Sequence, residues 1–195
     1  MMGSSKLGNP DFSIAPLSFG NLLSALELVD RVFPRAQQGK ERADFFFPAS
    51  LLPPGRWLVR LIGYPTVLYW VAVDRESRKV IGTVGIYAMS SDPEAYWGGW
   101  MCVDTRDRSR GIGFALMRHA ITQAARRNDR KYVRLYTSTD PNEAKAQILY
   151  DSVGLTVYKT EDDPTTGFQR LYRQCELAKI QFRPRPGVGG EAGAP

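Results

Sequence analysis

The run Arg108-Ser109-Arg110-Gly111-Ile112-Gly113 constrains this chain more than any other stretch. It follows a strand-like run, Trp100-Met101-Cys102-Val103. It opens a segment with helical spacing at Leu116, Met117, Ala120, Ile121 and Ala124. A strand, a basic glycine-bearing loop and a helix start, in that order, make an anion site. Loop N–H groups point outward there, and the helix dipole adds partial positive charge. Gly111 and Gly113 are expected to let the backbone approach a ligand with no Cβ in the way. Such a site suits a phosphate or a pyrophosphate.

Two better-known phosphate loops are excluded. No Lys follows the glycines, as a Walker loop requires. The dinucleotide pattern G-x-G-x-x-G fails at its last place, which is Leu116. About thirty residues on comes Asn142-Glu143-Ala144-Lys145-Ala146-Gln147-Ile148-Leu149-Tyr150, followed by Gly154-Leu155. Asp140 is a suitable N-cap, Pro141 suits a first helical position, and Glu143 stands where a capping box would place it. Ala146, Leu149, Tyr150 and Val153 share one face, and Gly154 is a natural helix terminator.

The two stretches together resemble the GCN5-related N-acetyltransferases (GNAT). The first has that family's pyrophosphate-loop pattern, Arg/Gln-x-x-Gly-x-Gly/Ala, and the second its later Asn…Leu-Tyr…Gly motif. The resemblance covers about residues 10–178 and is most specific over 80–158. One departure is visible: Asn142 stands eight residues before Tyr150, whereas the family's Asn stands seven before, a place held here by Glu143. The resemblance implies an α/β fold (an α+β mixed sheet) of the GNAT acyl-CoA N-acyltransferase type. Its central sheet would be mostly antiparallel, with helices on both faces.

It also implies a chemistry: acetyl transfer from acetyl-CoA to a primary amine of a small molecule, or of a protein, by direct attack in a ternary complex. The loop Arg108, Ser109, Arg110, Gly111, Ile112, Gly113 and Phe114 would hold the coenzyme's pyrophosphate, with Arg108 and Arg110 pairing to phosphates. Met101 and Val103 would offer strand-edge amides to the pantetheine arm, and Asn142 would hydrogen-bond it. Tyr150, a phenol of ordinary pKa near 10, would protonate the departing thiolate. Strand 96–103 lacks the Glu that many relatives carry, so Glu94, just upstream, is the candidate base. A non-catalytic acyl-CoA-binding module of the same fold is the alternative.

Composition sets the remaining bounds. The chain has 195 residues, 43% of them hydrophobic, and a formal charge of +6. That length suits one domain over residues 11–178, with a flexible 1–10 and a disordered tail at 181–195. Nine Lys/Arg against two Asp fall between Arg106 and Arg134. No nucleic-acid motif accompanies them, so nucleic acid is an unlikely partner. The half 126–131 reads as a solvated helix end. No run of eighteen apolar residues exists, and no membrane partner is expected. With no signal-like start, and only Cys102 and Cys175, the chain reads as cytoplasmic, a monomer or homodimer. No metal cluster is spelled out; His119 reads as a half-packed helix residue and Cys102 as a small buried one.

The element order expected is two helices (21–33 and an ambiguous 37–44), strands at 67–73, 80–89 and 96–103, a helix, strand 132–137, a helix, and strands 155–159 and 168–177. Residues 51–64 are rich in Pro, Gly and aromatics, and the pattern does not place them. Gly98 and Gly99 suggest a bulge, or a ligand pressing on the backbone. The rings Phe45, Phe46, Phe47, Trp57 and Tyr64 stand as candidate acceptor-pocket or core residues. With few carboxylates there beyond Glu41 and Asp44, an apolar or amino-acid-like amine fits better than a polyamine.

Overall fold

A computed structural model describes residues 11–33 and 42–180. The expectations for 1–10, 37–41 and 181–195 lie outside the described residues. Seven strands form one sheet in the order β1-β2-β3-β4-β5-β7-β6. They are β1 (Phe12–Pro16), β2 (Thr66–Asp74), β3 (Val80–Met89), β4 (Asp92–Val103), β5 (Tyr132–Ser138), β6 (Thr156–Asp162) and β7 (Gln169–Glu176). All neighbours pair antiparallel except β4 and β5, which run parallel.

Helices α1 (Phe19–Val32), α2 (Ala43–Leu51) and α3 (Pro53–Leu61) precede β2. Leu28, Val29, Phe46, Phe47 and Val59 from these helices cluster with Tyr69, Val71 and Val80 on one face of the sheet. Helices α4 (Ile112–Arg127) and α5 (Ala144–Ser152) supply the other layer. There Leu116, Met117, Ile121 and Tyr150 pack on Val84, Ile86, Val133 and Leu135. The buried α4 residues are those the helical spacing singled out, with Ile112 added.

Several expectations are corrected. Strand β1 was not foreseen; it adds to the β2 edge, Ile14 opposite Ala72. The unplaced stretch 51–64 is mostly α3, which starts on Pro53-Pro54, residues that fit a first helical turn because their missing N–H groups are not needed there. Gly55 sits where a Cβ would lie 2.6 Å from the Ala49 backbone, so α2 and α3 can meet at a tight corner. Strand β4 begins at Asp92 rather than at 96. Helix α5 begins at Ala144, after a single turn at Pro141–Glu143 capped by Asp140, which accepts from the Asn142 N–H at 2.8 Å. The capping box does not form, because the Glu143 carboxylate turns back to β5 instead. Gly154 does end the helix, with a left-handed φ of 84°.

Candidate functional site

Strands β4 and β5 are in register over only three pairs, Ala95–Tyr132, Tyr96–Val133 and Trp97–Arg134. From Gly98 onward they part, while β4 stays paired with β3 through Gly82–Val103. The β4 edge from Gly98 to Val103 therefore offers backbone groups that β5 does not satisfy. Such groups need partners when removed from water. The wedge is accompanied by a bulge. Trp100 has a left-handed φ of 53°, its carbonyl accepts from Thr83 Oγ1 at 2.6 Å, and the β3–β4 register shifts between Thr83 and Gly85.

The glycines around this bulge have a packing reason. A Cβ on Gly85 would lie 2.3 Å from the Tyr69 ring, and one on Gly99 would lie 2.9 Å from Tyr87. Two tyrosine rings thus lie against the bare cross-strand pair Gly85–Gly99. A chain of edge-on and tilted ring contacts continues from them, Phe33–Trp100–Phe47–Tyr69 on one branch and Phe46–Tyr64–Tyr87 on the other. Phe46 and Phe47 are buried core, whereas Trp57 stands on the outside.

Beyond β4, Asp104 fixes the entry to the basic loop. Its carboxylate accepts from Arg31 of α1 at 2.8 Å and from the Arg106 N–H at 3.1 Å. Hydrogen bonding and charge from Arg106, with help from Arg31, hold this buried acid down at about 2. Ser109 and Gly111 then take left-handed φ values of 69° and 82°, and Gly111 becomes the N-cap of α4. Turns with a left-handed residue are the backbone setting in which successive N–H groups can form an anion-binding concavity.

The side chains of this loop depart from expectation. The Arg110 guanidinium is already held by Asp107, by Asp74 at 3.3 Å and by Asp11 at 3.8 Å. It is turned toward the end of β2 and is not offered to a phosphate. Arg108 is exposed and has no ion pair among the described residues. Ile112 is buried core, so only its backbone is available to a ligand. Gly113 is bare for packing rather than for ligand approach: a Cβ there would stand 3.2 Å from Met101 Cε, 3.3 Å from Leu149 Cδ2 and 3.7 Å from Val103 Cγ2. Phe114 lies beside Phe12 and Ile14 of β1 in an open depression.

That convergence of Met101, Val103, Gly113 and Leu149 brings the β4 edge, the α4 start and the residue before Tyr150 together. Tyr150 is 9% exposed, and its hydroxyl has no hydrogen-bond partner among the described residues. Burial, then the Glu143 carboxylate, push its phenol up to about 12, while Arg173 opposes them. Glu143 itself accepts from the Ser138 N–H at 2.9 Å and from the Thr137 hydroxyl. Asn142 is exposed, in the single turn that precedes α5.

Two candidates are not brought here. Glu94 is the third residue of β4 and Met101 the tenth. At the usual strand rise that separates them by roughly 23 Å. Glu94 lines an open cleft of about 630 Å³ with Asn128, Asp129 and Lys131, at the far end of α4. His119 lies edge-on to Trp70 at 5.4 Å, its pKa lowered by burial and by Arg126. Cys102 is buried beside Thr83, its thiol pushed up to about 11 by burial. The stretch 126–131 is not merely solvated. Arg127 Nε donates to the Tyr96 hydroxyl at 2.7 Å, and Arg130 reaches the Pro93 carbonyl at 2.7 Å.

Sequence reasoning missed Arg173. This buried β7 guanidinium donates to Asp151 Oδ1 at 2.6 Å, to Gln147 Oε1 at 2.5 Å and to the Leu155 carbonyl at 2.8 Å. It pins α5 on both sides of Tyr150. The signal was available: Arg173 alternates with Leu171 and Cys175 in the inward register of a strand.

Comparison with known proteins bears on the domain and the fold. Residues 65–156 match the family model "Acetyltransferase (GNAT) domain". No curated protein matches in sequence. Among solved structures, the ribosomal-protein-S5-alanine acetyltransferase of Vibrio fischeri superposes with a TM-score of 0.65 at 16% identity, over 91% of this chain and 98% of that one. A GNAT-family acetyltransferase of Staphylococcus aureus gives 0.59 at 17%, over 85% and 99%. A spermidine N-acetyltransferase variant of Vibrio cholerae gives 0.62 at 13%, over 88% and 96%. Identities this low speak for the fold, and the domain match speaks for the family. The chain carries a GNAT acetyltransferase domain over residues 65–156, on the fold that these solved acetyltransferases share.

Proposed function

We propose that the chain transfers acetyl from acetyl-CoA to a primary amine carried on a largely apolar small molecule or on a peptide, by direct attack in a ternary complex. The observation that carries this is the wedge between β4 and β5, which opens toward the left-handed turn before α4. A pantetheine arm laid in the wedge would meet the unpaired β4 edge at Met101 and Val103. The diphosphate would meet the N–H groups of residues 108–114. Arg108 is the free guanidinium for a phosphate; Arg110 contributes through its backbone.

The amine nitrogen attacks the thioester carbonyl, the C–N bond forms and the C–S bond breaks. A β4 backbone N–H at the bulge would steady charge on the carbonyl oxygen, as fixed amide dipoles do in water-poor sites. The Tyr150 hydroxyl gives its proton to the departing thiolate. A phenol pushed up to about 12 is fully protonated at neutral pH, as an acid must be. The Glu94 carboxylate is too distant to act as base, so the amine's proton passes to water. An apolar acceptor is favoured by the ring chain ending at Trp100 and Phe33, and by the lack of any carboxylate between Asp44 and Asp74.

A thiol-release assay with acetyl-CoA and a panel of amines tests this reading. Aromatic and aliphatic monoamines, or peptides with free N-termini, are expected to outpace spermidine. Preference for spermidine would overturn the acceptor class, and no thiol release with any amine would favour a non-catalytic coenzyme-binding role.

A further inference from the structure

Helix α3 faces the wrong way for a helix whose task is packing. Of its apolar side chains only Val59 is buried, at 2% exposure, whereas Trp57 is 65% exposed, Leu61 62% and Leu58 43%. At about 100° per residue, Gly55 and Val59 mark the side turned to the molecule, and Trp57 stands opposite them with Leu61 beside it. Arg60 borders this outward face on one flank, and Arg56 stands on the same flank with its Nε donating to the Ser50 carbonyl at 2.6 Å. Ile62, also exposed, extends it past the helix end.

Its charge is one-sided. From Phe45 to Val73 the sequence holds Arg56 and Arg60 and no carboxylate. The chain's own segments outside the described residues do not complement it. Residues 1–10 carry Lys6, residues 34–41 carry Arg35 and Lys40 against Glu41, and residues 181–195 carry Arg183 and Arg185 against Glu191. A two-fold pairing of α3 with its copy would set arginine against arginine with no acid between. Exposed Trp and Leu beside arginines on a short helix match a partner that is apolar inside and anionic at its surface.

We propose that α3 is a peripheral membrane-binding element that seats Trp57, Leu61 and Ile62 among the acyl chains of an anionic bilayer, with Arg56 and Arg60 at the headgroups. No helix among the described residues is long and apolar enough to cross a membrane. Lying on a surface needs no such length, because a helix parallel to the interface buries one face only. The expectation of no membrane partner is replaced by this proposal.

The test is co-sedimentation of the full chain with phosphatidylcholine–phosphatidylglycerol vesicles and with pure phosphatidylcholine vesicles, at low and high salt. The chain is expected to pellet with the anionic vesicles, less so in high salt, and weakly with the neutral ones. The charge-neutral double variant Trp57→Ser/Leu61→Ser should bind at least about tenfold more weakly, having lost two large interfacial side chains. Its melting temperature should not fall, because both side chains are exposed. Arg60→Glu should weaken binding to anionic vesicles only. The proposal is overturned if the wild type does not pellet, or if the double variant pellets as the wild type does. It is also overturned if the wild type is a dimer that the double variant converts to monomer without any vesicle binding.

Discussion

Tyr150 is the side chain on which the proposed chemistry turns. Tyr150→Phe removes the proton donor and little volume, so turnover should fall about a hundredfold while the coenzyme dissociation constant barely moves. Steady-state kinetics alongside calorimetric titration would separate the two effects, and unchanged turnover would remove the role. The loop arginines divide differently. Arg108→Ala should raise the KM for acetyl-CoA severalfold, and Arg110→Ala should act chiefly on stability, since its guanidinium is spent on Asp107, Asp74 and Asp11. Asp104 makes a pH prediction. Its folded pKa, about 2, lies below the ordinary carboxylate value near 4, so its stabilising contribution is complete above pH about 4 and is lost as pH falls through about 2. Asp104→Asn should flatten acid unfolding in that window and cost about 1–3 kcal/mol at neutral pH. Acid titration of both proteins by circular dichroism checks it. At this scale the sequence offered Tyr150 and the loop backbone as candidates. It could not carry Glu94's remoteness or Arg110's partners, because both depend on strand length and on residues from β2 and the chain start.

Among the elements, β4 does most to set the proposed site, and the cross-strand glycines Gly99 of β4 and Gly85 of β3 are each answered by a tyrosine ring. Gly85→Ala would place a Cβ 2.3 Å from the Tyr69 ring. The ring must move off the sheet, at a cost of about 1–3 kcal/mol seen as a lower melting temperature. Because Tyr69 also touches Phe47, acceptor KM should rise with it. A bulge was legible in Gly98-Gly99; its centre at Trp100 was not, since a bulky residue with positive φ has no sequence signature. Helix α4 was readable because its buried positions recur with the helical period and its two ends are marked by Gly111 and Asn128. Helix α3 was not, because its large apolar residues point outward and give no core-facing stripe. Strand β1, five residues closed by a proline, is too short for alternation to register.

For the whole molecule, one sheet links Phe12 to Glu176, and the proposed coenzyme site draws on β4, α4, β5 and α5 together. A ligand that binds only this assembled arrangement must stabilise all of it. Coenzyme A at a hundred times its dissociation constant should raise the melting temperature by about 5–10 °C. The layer order was foreseeable from the two motifs, since a phosphate loop between β4 and α4 leaves few ways to wind the rest. The proposed coenzyme site depends most directly on the backbone amides of residues 108–114. In a ¹⁵N–¹H correlation spectrum titrated with acetyl-CoA, those amides, with Met101 and Val103, should show the largest shifts in the molecule. If the coenzyme binds while they stay still, the anion turn before α4 is not where its diphosphate sits.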